Sequence, residues 1–130
     1  MARAGTRKIG NSREAADLFA LTFQHSGVEE LYIAHVDSDR RLIAMCNHVG
    51  GSVCHLELPL QEIAREALVL QSHGILIAHN HPSGDPTPSR SDIIGTRALS
   101  ELADRLNIRL YDHLIFAPDR WSSLLALGLL

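Results

Sequence analysis

Apolar residues recur along this chain in two rhythms, a helical period and short continuous runs, and the changes between them mark its predicted elements. Asn11 with Glu14 three residues later reads as a helix start, and Ala15, Leu18, Phe19, Thr22 and Phe23 form a mostly apolar stripe that stops by Gly27. Leu31 to Val36 and Leu42 to Cys46 are strand-like runs, joined by the polar hairpin connection Asp37-Ser38-Asp39-Arg40-Arg41. A third strand is expected over Ser52 to Leu58. Pro59 suits a first helical turn, and Leu60, Ile63, Ala64, Ala67 and Leu68 keep helical spacing until Gly74. Ile75 to Ala78 is a short unbroken apolar run, which predicts a central strand buried on both faces.

After a proline-punctuated loop, Ile94, Ala98, Leu102 and Leu106 fall at intervals of four, supported by Leu99 and Ala103. They predict an amphipathic helix with Asn107 in its C-terminal turn. Ile108 to Ala117 then reads as a long strand, broken by Pro118-Asp119. The apolar tail from Trp121 to Leu130 fits core packing, or a self-association surface that would make a homo-oligomer. Together these elements describe an α/β fold, a single domain with a mixed β-sheet flanked by helices.

Composition narrows the picture. At 130 residues and 45% hydrophobic content, the chain suffices for one core and leaves little room for a second domain. Residues 1–11, with Arg3, Arg7 and Lys8, read as a basic mobile arm ahead of a domain over 12–130. A formal charge of −3 lacks the basic footprint of an autonomous nucleic-acid binder. No apolar run approaches a membrane span, and the first residues lack the apolar core of a secretory signal. A cytoplasmic protein is expected, with Cys46 and Cys54 reduced and not paired in a Cys-x-x-Cys motif.

The chemistry concentrates in His79-Asn80-His81-Pro82-Ser83-Gly84-Asp85-Pro86-Thr87-Pro88-Ser89-Arg90-Ser91-Asp92. Pro82 biases His81 towards extended backbone, so His79 and His81 at i and i+2 point to one side and can clamp a common point. The prolines and Gly84 stiffen the turn, and Asp92 follows one turn into the next helix. Two imidazoles and a carboxylate with an open fourth position are the layout of a catalytic zinc site, whereas structural sites usually close with four protein ligands. A plainer reading stands beside it: Ser89-x-x-Asp92 before an apolar run also matches a capping box, and Ser89 can cap the helix and still serve a site.

His79-x-His81, ten intervening residues and Asp92, with Ser89 three places before the acid, resemble the JAMM motif of the JAB1/MPN metalloprotease superfamily. The longer string through Pro86, with Pro88-Ser89 and Asp92, looks like its bacterial RadC-like branch. Further matches run from Glu29 towards the C-terminus, among them the Val36-Asp37 strand end and Asp112-His113. The resemblance implies a JAB1/MPN (cytidine-deaminase-like) fold. It implies one zinc per chain on His79, His81 and Asp92, with Ser89 donating to the oxyanion of a tetrahedral intermediate. It also implies a glutamate base from an earlier strand, and aligning the Val36-Asp37 strand end selects Glu29 over Glu30. A one-residue slip would exchange them. Asp112 and His113 face opposite sides of a strand, so at most one enters the site without a local distortion, in a supporting or structural role above direct ligation. His35 departs from the apolar residue usual at its position and reads as a satisfied core histidine or an extra polar group near the site or a dimer surface.

The function expected on this resemblance is a zinc-dependent hydrolase of amide bonds, acting on an unknown peptide or isopeptide. The branch also carries a historical DNA-repair label, which the charge does not support as a binding activity of this chain. Two other readings use the same residues: a non-catalytic MPN-like interaction module, and a non-haem iron oxygenase built on a two-histidine, one-carboxylate triad.

Overall fold

A computed structural model describes residues 7–23, 27–49 and 58–130. The elements in chain order are α1 (Ser12–Ala20), β1 (Glu30–Val36), β2 (Leu42–Val49), α2 (Leu60–Val69), β3 (Gly74–Asn80), α3 (Arg90–Arg105), β4 (Arg109–Phe116) and β5 (Trp121–Ser123). The strands form one mixed sheet in the order β2-β1-β3-β4-β5. β3 and β4 are parallel and α3 joins them, while the other neighbours are antiparallel. The expected single α/β domain with a mixed sheet is therefore present, and it is consistent with the JAB/MPN fold. Most of the expected third strand, Ser52 to Leu58, lies outside the described residues.

Each face of the sheet carries its own core. On one side α1 brings Ala15, Ala16 and Phe19 onto Ala34, Val36, Leu76, Ala78, Leu114 and Phe116. On the other, α2 and α3 bring Ile63, Ala67, Leu99 and Ala103 onto Leu31, Ile33, Ile75 and Ile77. β3 lies between them with all seven residues buried, as its unbroken apolar run predicts. The β1–β2 connection is the expected hairpin. Asp37 Oδ1 accepts from the backbone of Asp39 and Arg41, and Arg40 turns the chain at φ 62°.

Three expectations shift. Ile9 is fully buried, and the backbone of residues 7–9 bonds to Arg40 and Leu42, so the basic segment from residue 7 onward packs against the hairpin. α1 begins at its Asn11 cap as expected but ends at Ala20, well before Gly27. There Thr22 donates both its N–H and its hydroxyl to the Phe19 carbonyl and closes the last turn. In α3 the buried stripe is Thr96, Leu99 and Ala103, whereas Ile94 is 60% exposed. The helix is turned so that the face continuing from Asp92 lies against the sheet.

The tail divides between its two readings: Leu124 is buried, and Leu125 and Leu127 are exposed. Among the described residues, no helix is long and apolar enough to cross a membrane.

Candidate metal centre

β3 is the middle strand of the sheet, and its C-terminal end brings His79, with His81 just beyond it, to the N-terminus of α3. There Ser89 Oγ accepts from the Asp92 N–H at 3.0 Å and Asp92 Oδ2 accepts from the Ser89 N–H at 2.8 Å, a complete capping box. Here the cap and the site are one arrangement, because the box holds the Asp92 carboxylate against the histidines. His79 Nε2 lies 3.3 Å from Asp92 Oδ1, His81 Nε2 lies 3.3 Å from Asp92 Oδ2, and the two Nε2 atoms are 3.0 Å apart.

Those three separations allow a test of fit. A tetrahedral ion with bonds of about 2.0–2.1 Å sets neighbouring nitrogen or oxygen donors about 3.3–3.4 Å apart, close to what is found. Lone pairs this near each other repel unless a cation or a proton lies among them. The hydrogen bonds behind the rings decide that lone pairs are what the site presents. The Asp85 carbonyl can only accept, so His81 donates Nδ1–H to it at 2.8 Å and keeps Nε2 for the site.

A longer relay sets His79. Thr96 donates its hydroxyl to the Asp92 carbonyl at 2.6 Å, so its oxygen accepts from His113 Nδ1–H, also at 2.6 Å. Burial, and then the neighbouring His79, push the His113 pKa well below the ordinary histidine value, which keeps that ring neutral. Its Nε2 is therefore an acceptor, takes Nδ1–H of His79 at 2.6 Å and leaves His79 Nε2 unprotonated.

A β-bulge makes this relay reachable. Ile75 pairs with Leu110 but Leu76 pairs with Asp112, so Tyr111 is an extra residue in β4. Strict alternation from Leu110, which packs under the helices, would send His113 to the far face. The bulge instead aims it at His79. Asp112 points the other way, where Ser12 and Ser123 donate their hydroxyls to Oδ2 and the His113 and Leu125 N–H groups donate to Oδ1.

Charge completes the geometry. Burial disfavours an ionised Asp92, yet His79 and His81, whose Nε2 atoms can donate to it only while their rings are protonated, and the Ser89 N–H overcome that cost and hold the carboxyl far below its usual range. The same bond to Asp92 pushes His81 upward against its burial.

Glu29 and Glu30 separate by strand parity. Glu29 is only 9% exposed, its charge is felt at His81, and its Oε2 has no hydrogen-bond partner among the described residues. Glu30 shares the opposite parity with Tyr32, whose hydroxyl donates to it at 3.0 Å. Asn80 brackets Glu29, donating to the Val28 carbonyl at 2.9 Å and accepting from the Glu30 N–H at 2.7 Å. Sequence reading gave no role to Asn80 or Thr96. The only signal for Thr96 is its place four residues after Asp92 on a helix.

A cavity of about 330 Å³ borders the site, lined by His81, Pro82, Phe23, Phe116, Arg120 and Trp121 among others. A larger one of about 1030 Å³ lies towards the opposite end of the strands, around Gly10, Arg40, His73 and Arg109, away from the ligand set.

A mixed sheet between helices, with a His-x-His pair at a strand end and an acid on the following helix, defines a JAB-type domain. Residues 9–129 match the family model of the RadC-like JAB domain, and the chain belongs to that family. It is 35% identical over 119 residues to a UPF0758 protein of Ruegeria pomeroyi, covering 91% of this chain and 53% of the relative. It is 37% identical over 106 residues to a UPF0758 protein of Rhodobacter capsulatus, covering 82% and 50%. A third, from Roseiflexus castenholzii, is 34% identical over 122 residues, covering 94% and 52%. The chain thus spans about half the length of the curated relatives it matches.

Proposed function

We propose that this domain is a zinc-dependent hydrolase of amide bonds, a metallopeptidase or isopeptidase of the JAMM type. The observation that carries the reading is the set of donor atoms of His79, His81 and Asp92 at 3.0–3.3 Å beside a buried carboxylate, Glu29, whose Oε2 has no partner among the described residues. Zinc held by those three residues would supply Lewis acidity and bring a water towards a neutral pKa. Glu29 is the residue placed to accept a proton from an attacking water and return it to the leaving amine. Capping uses one acceptor lone pair of Ser89, and with Ser91, 3.0 Å away, donating to the other, the Ser89 hydroxyl hydrogen serves the oxyanion. The His113–Thr96 relay keeps His79 in the ligating tautomer, and Asn80 fixes the backbone around Glu29. The cavity beside His81 offers Phe116 and Trp121 as an apolar rest for a substrate side chain. Imidazole and carboxylate donors also suit iron, but a sheet flanked by helices is not the double-stranded β-helix common to the iron oxygenases.

The test is hydrolysis of a peptide and isopeptide panel by chelator-treated protein before and after zinc is restored. Cleavage is expected only with zinc, and to be absent from Asp92→Ala. Cleavage that survives chelation, or that Asp92→Ala retains, would overturn the reading.

A further inference from the structure

The sheet face under α2 and α3 carries a second group of side chains with ligating atoms, away from His79 and His81. His35 on β1 pairs with Ala44 on β2, and Cys46 pairs with Ile33, so His35 and Cys46 are diagonal neighbours on one face. That face packs under α2, which brings Glu66 over them beside the buried Ala67. Ligand atoms of His35, Cys46 and Glu66 all lie within 4.8 Å of one another, with His35 Nε2 3.9 Å from Glu66 Oε1. His48, two residues beyond Cys46, grips the Glu66 carboxylate with Nε2 3.1 Å from each oxygen.

The second observation is His35 itself. Its ring is completely buried, Nδ1 meets Ser72 Oγ at 2.8 Å, and Nε2 has no hydrogen-bond partner among the described residues. A core histidine kept only for packing is expected to satisfy both nitrogens. Here one is satisfied and the other is left for the space shared with Glu66 and Cys46.

We propose that His35, Cys46 and Glu66 bind a second divalent cation of the zinc class, with His48 orienting the carboxylate and Ser72 supporting the imidazole. Thiolate, imidazole and carboxylate together select a borderline metal such as zinc over magnesium or calcium. On binding, the Cys46 thiol releases its proton to solvent, and the two negative ligands balance the charge of the ion. Without metal, burial and the adjacent Glu66 push the thiol upward, which makes Cys46 a poor nucleophile and argues against a Cys-His-Glu catalytic group. The ion would tie β2 to β1 and both to α2. The proposal stands apart from the hydrolase reading, since it uses none of the residues assigned to it.

Cobalt(II) is the probe, because a thiolate ligand adds a near-ultraviolet charge-transfer band that His79, His81 and Asp92 cannot produce. Chelator-treated wild type is expected to take up two equivalents, one with that band, and the His79→Ala/His81→Ala variant to keep the banded equivalent. Cys46→Ser should lose the band and Cys54→Ser should retain it. Glu66→Gln and His35→Leu should each weaken the banded site at least tenfold. Cobalt uptake without the band, a band that survives Cys46→Ser or vanishes in Cys54→Ser, or no uptake beyond the His79 site would each overturn the proposal. Should the double variant fail to fold, wild type against Cys46→Ser alone decides it.

Discussion

Single protons decide whether His79 and His81 can hold a cation, and the residues behind them set those protons. His81 is raised above the ordinary 6.5 first by its hydrogen bond to Asp92, so its protonated form stabilises the metal-free fold. That stabilisation is complete below the unfolded pKa and is lost as pH rises through the raised one. Asp92 has the opposite sign: its depressed pKa contributes stability above the ordinary carboxyl range, lost as pH falls through the lowered value. Zinc bound at His81 would have to displace its proton, so zinc affinity should fall about tenfold per pH unit below the raised His81 value. Competition titrations between about pH 6 and 8 would show the decline beginning above 6.5, and a flat profile would contradict the tautomer assignment. Glu29→Gln keeps its shape and loses its basicity, so fold and zinc should persist while hydrolysis drops by at least about 100-fold. Glu30→Gln, on the Tyr32 side, should stay active, and an exchange of these outcomes would move the base by one residue. The candidate ligand group His79, His81 and Asp92 is legible in the sequence because proline, spacing and donor type coincide there. Choosing Glu29 over Glu30 needed a family resemblance, because two adjacent glutamates look alike until the strand start is fixed.

At the level of elements, long apolar stretches are read well and departures from their period are not. β3 and the helix starts at Asn11 and Ser89 follow directly from run length and capping chemistry. The bulge at Tyr111 leaves no such mark: Leu110-Tyr111-Asp112-His113 looks like ordinary alternation, and only pairing with β3 reveals the extra residue. The α3 stripe was misjudged for a related reason, since a polar Thr96 occupies the face that hydrophobic spacing alone awarded to Ile94. Gly74 reports on the bulge. A Cβ there would run into the Tyr111 ring, so Gly74→Ala must push the extra residue aside. The expected loss is about 1–3 kcal/mol in denaturant unfolding, with zinc binding weakened because His113 moves with β4. A variant as stable as wild type, with unchanged zinc affinity, would show that the bulge does not set the His113 direction.

For the whole molecule, two cores on one sheet create a platform whose α2/α3 face carries both candidate ligand groups, one at the end of β3 and one between β1, β2 and α2. Net charge of −3 and the scarcity of clustered cations predict no appreciable binding of duplex DNA by this chain. Labelled duplex titrated at low and at near-physiological salt should show weak, salt-sensitive association at most; tight binding that survives the higher salt would favour an interaction module. The central claim is the ligand set, and elemental analysis of protein purified without chelator or a nickel column tests it most directly. Each of His79→Ala, His81→Ala and Asp92→Ala is predicted to hold one zinc fewer than wild type. Iron in place of zinc, or zinc undiminished in all three, would contradict the account.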